Sequence, residues 1–204
     1  MATIARACRD SQLNAVVALV VSDQPDAKGL AVASGFGIDA RVIPWHGATA
    51  RDDFERALEQ ALTDARADLV VLAGFMRILS GAFVERYAGR MLNIHPSLLP
   101  KYCGLHTHRR ALEASDAEHG ASVHFVTAEL DAGPLVLQSK VRIEPGDTEG
   151  TLSARVQATE HIIYPRVIGW IADGRLRWRD GRVWLDDQPL NSPVVEDFSA
   201  PGHG

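Results

Sequence analysis

The chain has 204 residues, 46% of them apolar and 23% charged, which suits one globular domain with a core of ordinary size. Its formal net charge of −5 excludes a general binder of nucleic acid or of acidic membranes, since both need a basic surface. Cys8 and Cys103 make no disulfide framework, no apolar run reaches a membrane span, and no basic-then-apolar signal opens the chain, so a cytoplasmic protein is expected.

Residues 15–21 are an unbroken apolar, β-branched run closed by Ser22-Asp23-Gln24-Pro25. Continuous apolarity predicts a strand covered on both faces, as in a parallel sheet. Residues 27–34 read as a short helix ended by Gly35, and residues 40–43 as a strand stopped by Pro44. Residues 50–66 carry Phe54, Ala57, Leu58, Ala61 and Leu62 at helical spacing, with Asp52 and Asp53 complementing the helix dipole. Residues 68–73 read as a second buried strand, 81–88 as a helix, and 90–94 as a strand running straight into His95-Pro96. A helix follows at 107–115. Strands at 121–126 and 135–143 are joined through Leu130-Asp131-Ala132-Gly133-Pro134. Residues 148–172 form a long helix, interrupted or kinked near Pro165. Residues 175–178 and 182–185 pair as a hairpin around Asp180-Gly181. The domain is expected over 1–188, with 189–204 a loose, polar, Pro/Gly-rich tail. The alternation of strands and helices predicts an α/β fold: a Rossmann-like, open, mostly parallel sheet with helices on both faces and antiparallel C-terminal strands.

In such sheets ligands sit outside the carboxyl ends of the strands, where Asn93 and His95 lie. Two apart on a strand, their side chains leave on the same side. An amide and a protonated imidazole so placed can both donate to one carbonyl oxygen. A capped strand end with a surface histidine fits the spacing equally well. Asp131, in the tight loop between two strands, would keep His95 charged if the loop folded over it. Otherwise it is an ordinary turn aspartate. No acidic or cysteine ligand completes a site with the His106-x-His108 pair, so no metal is expected.

Several segments, in order and spacing, resemble the phosphoribosylglycinamide formyltransferases, a branch of the folate-dependent formyltransferases. They are residues 72–79 (Leu-Ala-Gly-Phe-Met-Arg-Ile-Leu), 92–100 (Leu-Asn-Ile-His-Pro-Ser-Leu-Leu-Pro), 104–108 (Gly-Leu-His-Thr-His), 120–126 (Gly-Ala-Ser-Val-His-Phe-Val), 130–134 (Leu-Asp-Ala-Gly-Pro) and 156–161 (Val-Gln-Ala-Thr-Glu-His). The resemblance implies transfer of a formyl group from 10-formyltetrahydrofolate to the amine of glycinamide ribonucleotide, in purine biosynthesis. It implies a catalytic trio of Asn93, His95 and Asp131. It places the folate against Arg51, Met76, Arg77, Ile78, Leu79 and Asn93 on one side, and Thr127, Ala128, Glu129, Leu130 and Asp131 on the other. Gln157, Ala158, Thr159 and Glu160 would hold the nucleotide. His108, Ser122 and His124 are further candidates. The partner is a small molecule, with no nucleic acid and no membrane, and the protein a monomer or homodimer.

One departure stands out. Family members open with an apolar strand and a glycine-rich loop ending in Gly-Ser-Asn, whose N–H groups cradle the nucleotide phosphate. Here Met1 to Cys8 match the helix that follows that loop. A missing strand would leave its two neighbours with unpaired edges and a trough in the core. Either the start is set ~15 residues late, about one strand and one loop, or the protein is truncated, unstable and weak for nucleotide. A smaller departure is Ala128, where an acidic residue is common. The alternatives are a formyltetrahydrofolate hydrolase, or a truncated folate-binding protein of little activity.

Overall fold

The structure, a computed structural model, describes residues 1–199, the side chain of Ala48 excepted. In chain order the elements are α1 (Ala2–Arg9), β1 (Val20–Ser22), α2 (Lys28–Gly35), β2 (Ala40–Val42), a 3-10 turn (Ala48–Ala50), α3 (Arg51–Asp64), β3 (Val70–Leu72), α4 (Gly81–Arg86) and β4 (Met91–His95). There follow α5 (Thr107–Glu113), β5 (Glu118–Phe125), β6 (Leu135–Arg142), α6 (Glu149–Ala172), β7 (Leu176–Arg179), β8 (Arg182–Leu185), β9 (Gln188–Pro189) and β10 (Val194–Asp197).

The main sheet runs β10-β6-β5-β4-β3. The pairs β3–β4 and β6–β10 are parallel, whereas β4–β5 and β5–β6 are antiparallel. A separate parallel pair holds β1 and β2, and a separate antiparallel sheet holds β7, β8 and β9. Side chains alternate across β4, so its two faces meet different layers. Leu92 joins Val123, Phe125 and Leu137 against Leu152, Val156, Ile163 and Val167 of α6. Met91 joins Phe54, Leu58 and Leu62 of α3 with Phe83 and Tyr87. Helices thus cover both faces, as the alternation of elements predicts.

α6 starts on a capping box: the Thr151 N–H donates to Thr148 Oγ1, and the Thr148 N–H donates to Thr151 Oγ1. Of the two expectations at Pro165 the interruption does not occur: the helix runs on through Pro165 to Ala172. The Tyr164 hydroxyl shares its one hydrogen between the carbonyls of Leu72 (2.8 Å) and Leu92 (3.0 Å), fixing α6 to β3 and β4.

The first half of the sheet is split. Among the described residues β1 pairs only with β2, β3 pairs only with β4, and no ladder joins β1 to β3. Both lie over α3: Val21, Val70 and Leu72 pack against the same Phe54–Leu58–Leu62 cluster. Arg77, beyond β3, donates to Asp23, beyond β1, at 2.7 Å. The strand expected over 15–21 is accordingly short. Residues 15–19 lack strand pairing, Val16 is 86% exposed, and the residues of β1 and β3 are only half-buried. Among the described residues β1 and β3 thus each have one edge without a strand partner.

The C-terminal segment departs from the expected loose tail. Gln188–Pro189 extends the small sheet, and Val194–Asp197 pairs in parallel with β6 along residues 137–140. Val194 and Phe198 pack on the main core. Polar composition hid an edge strand whose backbone partner is supplied by tertiary structure. Residues 200–204 of that expected tail lie outside the described residues. Among the described residues no helix is long and apolar enough to cross a membrane.

Candidate active site

The carboxyl end of β4 carries Asn93 and His95, and the antiparallel register sets Asn93 opposite His124 and His95 opposite Ser122. Asn93 Nδ2 lies 3.2 Å from His124 Nε2, and His124 Nδ1 lies 3.0 Å from the Phe125 carbonyl oxygen. A carbonyl can only accept, so Nδ1 of His124 bears the proton and its Nε2 accepts from the amide. Burial lowers the pKa of His124, which favours that neutral ring. One Asn93 amide hydrogen is therefore spent on His124, and its orientation is set by it. The second remains for a ligand.

His95 is buried. Its Nε2 lies 2.9 Å from the Tyr102 carbonyl oxygen, and its Nδ1 lies 3.5 Å from Asp131 Oδ2. The latter is an ion-pair distance rather than a hydrogen bond. Asp131 reaches the site because its loop doubles back onto the end of β5. Asp131 sits at φ 53°, a left-handed conformation that aspartate tolerates better than most residues. Two residues on, a Cβ at Gly133 would lie 1.8 Å from the Phe125 carbonyl oxygen, so the close approach requires glycine. The Gly104 N–H donates to Asp131 Oδ2 at 2.8 Å and locks the loop down. Asp131 is not an ordinary turn residue.

The segment after His95 is pinned by a buried polar network that sequence reading reached only through Ser122. Ser122 Oγ donates to the Ser97 carbonyl (2.6 Å) and accepts from the Leu99 N–H (3.1 Å) and Gln138 Nε2 (2.8 Å). Gln138 Nε2 also lies 2.9 Å from the Leu99 carbonyl oxygen. Gln138 was missed; its position opposite Ser122 follows from the β5–β6 register and has no local signature.

The two expected flanks of a folate pocket come together. Leu79 and Val126 pack on one cluster, and Ala128 adjoins Gly81 at the start of α4. Met76 and Ile78 are 71% and 62% exposed, and across from them Ala128, Glu129 and Leu130 are exposed too. The Thr127 hydroxyl donates to the Glu129 carbonyl at 3.3 Å. The Arg77 side chain is committed elsewhere, to Asp23 and to the face of Trp45, leaving its backbone for the pocket. Arg51 begins α3, one turn before Phe54, which stacks on Phe75. Its Nε is buried with no hydrogen-bond partner among the described residues.

On α6, Gln157 and Ala158 are exposed, and Glu160 is half-buried with its carboxyl pKa raised by desolvation. Thr159 is turned inward. Its hydroxyl lies 2.6 Å from Ser139 Oγ and donates to the Val156 carbonyl, so its side chain faces the sheet instead of a ligand. His106 is exposed, while His108 Nδ1 meets His119 Nε2 at 3.1 Å. Among the described residues no three His, Cys, Asp or Glu side chains gather as metal ligands.

Comparison with known proteins gives the family. A phosphoribosylglycinamide formyltransferase of Escherichia coli (strain K12) is 53% identical over 184 residues, which span 90% of this chain and 87% of that one. The solved phosphoribosylglycinamide formyltransferase of Coxiella burnetii superposes with a TM-score of 0.89 at 48% identity, covering 95% of this chain and 92% of that one. A formyltetrahydrofolate deformylase of Pseudomonas syringae pv. tomato is more distant: TM-score 0.83, 25% identity, 90% of this chain and 61% of that chain. The formyl transferase family matches residues 1–168, a span that contains the β4 end, the Asp131 loop and most of α6, and the chain belongs to that family.

Proposed function

We propose that this protein transfers the formyl group of 10-formyltetrahydrofolate to the primary amine of glycinamide ribonucleotide in purine biosynthesis. The observation that carries this reading is the convergence of Asn93, His95 and the Asp131 loop on one strand end, in a chain 53% identical to a phosphoribosylglycinamide formyltransferase. In the reaction the amine nitrogen bonds to the formyl carbon, and the bond from that carbon to the folate nitrogen breaks. One proton passes from the amine to the leaving nitrogen. Negative charge grows on the formyl oxygen meanwhile. The free amide hydrogen of Asn93 and a protonated His95 Nδ1 are donors already in place for it, which is where such donors act best. Asp131 balances the imidazolium and orders a water that relays the proton.

The carrier would lie between Met76, Arg77, Ile78 and Leu79 on one side and Thr127, Ala128, Glu129, Leu130 and Asp131 on the other. Its carboxylates would satisfy Arg51, whose buried Nε, without a partner among the described residues, supports the fit. Gln157 and Glu160, which share a face of α6, would meet the nucleotide. The protein is read as cytoplasmic, monomeric or homodimeric, with small-molecule partners and no nucleic acid or membrane.

The test is release of tetrahydrofolate from 10-formyltetrahydrofolate with and without glycinamide ribonucleotide. Nucleotide-dependent release is expected. Release without nucleotide would instead mark a hydrolase, and binding without turnover a folate-binding protein. His95→Ala should lower nucleotide-dependent release by at least ~10²-fold. Near-normal release by that variant would sink the mechanism.

A further inference from the structure

His95 has two ring nitrogens, and their surroundings differ. Nε2 faces the backbone carbonyl oxygen of Tyr102 at 2.9 Å, a group with no hydrogen to give. Nε2 must therefore carry a hydrogen in both the neutral and the charged ring. Nδ1, 3.5 Å from Asp131 Oδ2, is then the nitrogen that gains and loses the proton. The geometry thus selects one tautomer of the neutral ring.

The Tyr102 carbonyl is in turn aimed by an unusual stretch of chain. Tyr102 stands at φ 59° and Gly104 at φ 78°. A left-handed tyrosine is costly, so something must hold it. Its phenol donates to Asp116 Oδ2 at 2.7 Å. The Arg110 guanidinium covers its ring at 5.0 Å and donates to the Cys103 carbonyl at 2.7 Å. Asp116 is a fixed point: its N–H donates to the Ala111 carbonyl at the end of α5, and its carboxylate also takes Lys101 Nζ at 3.0 Å.

We propose that Tyr102, anchored by its hydroxyl on Asp116, is a positioning residue that holds His95 as the Nε2–H tautomer and so directs proton transfer to Nδ1. This rests on the formyl-transfer reading for its consequence, although the tautomer itself does not. Tyr102 acts through the ring it orients. A merely structural role for the Tyr102–Asp116 bond would alter stability and leave the tautomer alone.

The experiment is nitrogen-15 NMR of imidazole-labelled full-length protein at alkaline pH, with steady-state kinetics on the same samples. In the wild type His95 should show a protonated Nε2 and a lone pair on Nδ1; the opposite tautomer would overturn the proposal. Tyr102→Phe, which removes only the hydroxyl, and Asp116→Ala should both show mixed tautomers. Both should lose ~10- to 100-fold in kcat, the scale of a small misplacement, with KM for either substrate within ~2-fold. Asp116→Asn keeps an oxygen for the phenol and should retain the wild-type tautomer and most of kcat. An unchanged tautomer and kcat in Tyr102→Phe would refute the proposal, and that variant alone decides it if Asp116→Ala fails to fold. Absence of nucleotide-dependent turnover in the wild type would defeat the functional reading while leaving the tautomer measurement to stand or fall by itself.

Discussion

Asn93 and His95 each have one polar atom occupied by the protein and another directed at the site. For Asn93 the occupied atom is an amide hydrogen, taken by the neutral His124 ring at 3.2 Å. Asn93→Asp replaces the donor by a carboxylate that faces the His124 lone pair. Its kcat should fall by ~10²–10³, the usual cost of losing one such donor. Steady-state kinetics at saturating substrate would check this, and a kcat within ~3-fold of wild type would show that the amide is not a donor in the transition state. Ser122 is a residue of the other kind, buried and wholly occupied. Ser122→Ala leaves Gln138 Nε2 its Leu99 contact but strips the Leu99 N–H of its acceptor. A loss of ~1–3 kcal/mol is expected from chemical denaturation, with a smaller change in activity. Equal stability would mean that water replaces the hydroxyl.

The α5–β5 junction joins two elements through a pair of histidines. His108 on α5 and His119 on β5 meet at 3.1 Å, with His119 fully buried. Burial, and then the neighbouring His108, lower the pKa of His119 to about 4. Burial lowers that of His108 as well. Unfolded imidazole titrates near ~6.5, so as pH falls the unfolded chain takes up its proton first. The stability contribution is complete above ~6.5, declines as pH drops toward about 4, and is flat below. The loss should reach a few kcal/mol, since one unit is worth ~1.4. Urea unfolding across that window would measure it, and His119→Gln should flatten the slope. An undiminished slope in the variant would place the titration elsewhere. The same elements show what a sequence can and cannot disclose. Helical spacing of Phe54, Leu58 and Leu62 declared α3, and Asp180-Gly181 declared the β7–β8 hairpin, because these signals are local. The period of two put Asn93 and His95 on one side of β4. The helical period that lets Gln157 and Glu160 share a face already turns Thr159 away from it, so its inward hydroxyl was readable from spacing. Strand register was not, so the His124 partner of Asn93 and the Gln138 partner of Ser122 stayed hidden. A backbone carbonyl such as that of Tyr102 has no residue type to betray it. Composition misled in the C-terminal segment, where β10 forms because β6 offers it an edge.

At the scale of the whole molecule, the split between β1 and β3 is the feature that most distinguishes the architecture from an ordinary open sheet. Among the described residues each strand has one edge without ladder partners, and the two pieces lie side by side over the Phe54–Leu58–Leu62 cluster, tied by Arg77 and Asp23. Val20, Val21, Val70, Val71 and Leu72 are half-buried where central strands of a doubly wound sheet are covered. An extended apolar segment inserted there would pair with both edges at once and complete the burial of those side chains. It would also bring the turn that follows it to the carboxyl ends of the strands, beside Asn93. Fusing ahead of Met1 a strand of ~5–6 apolar residues followed by a glycine-rich turn should therefore stabilise the protein. The ordering entropy of the added residues, ~1–2 kcal/mol each, offsets part of the gain. Each net kcal/mol should raise Tm by ~2–4 °C in a chain of this size. The glycine-rich turn exposes backbone N–H groups toward the nucleotide, so KM for glycinamide ribonucleotide should fall while KM for the folate changes little. Calorimetry and kinetics on the extended and unextended chains separate the effects. A higher Tm with unchanged KM would mean that the strand seats but the turn does not reach the phosphate. An unchanged Tm would mean that the slot between β1 and β3 does not accept a strand, and that the half-buried valines there are stable as they stand.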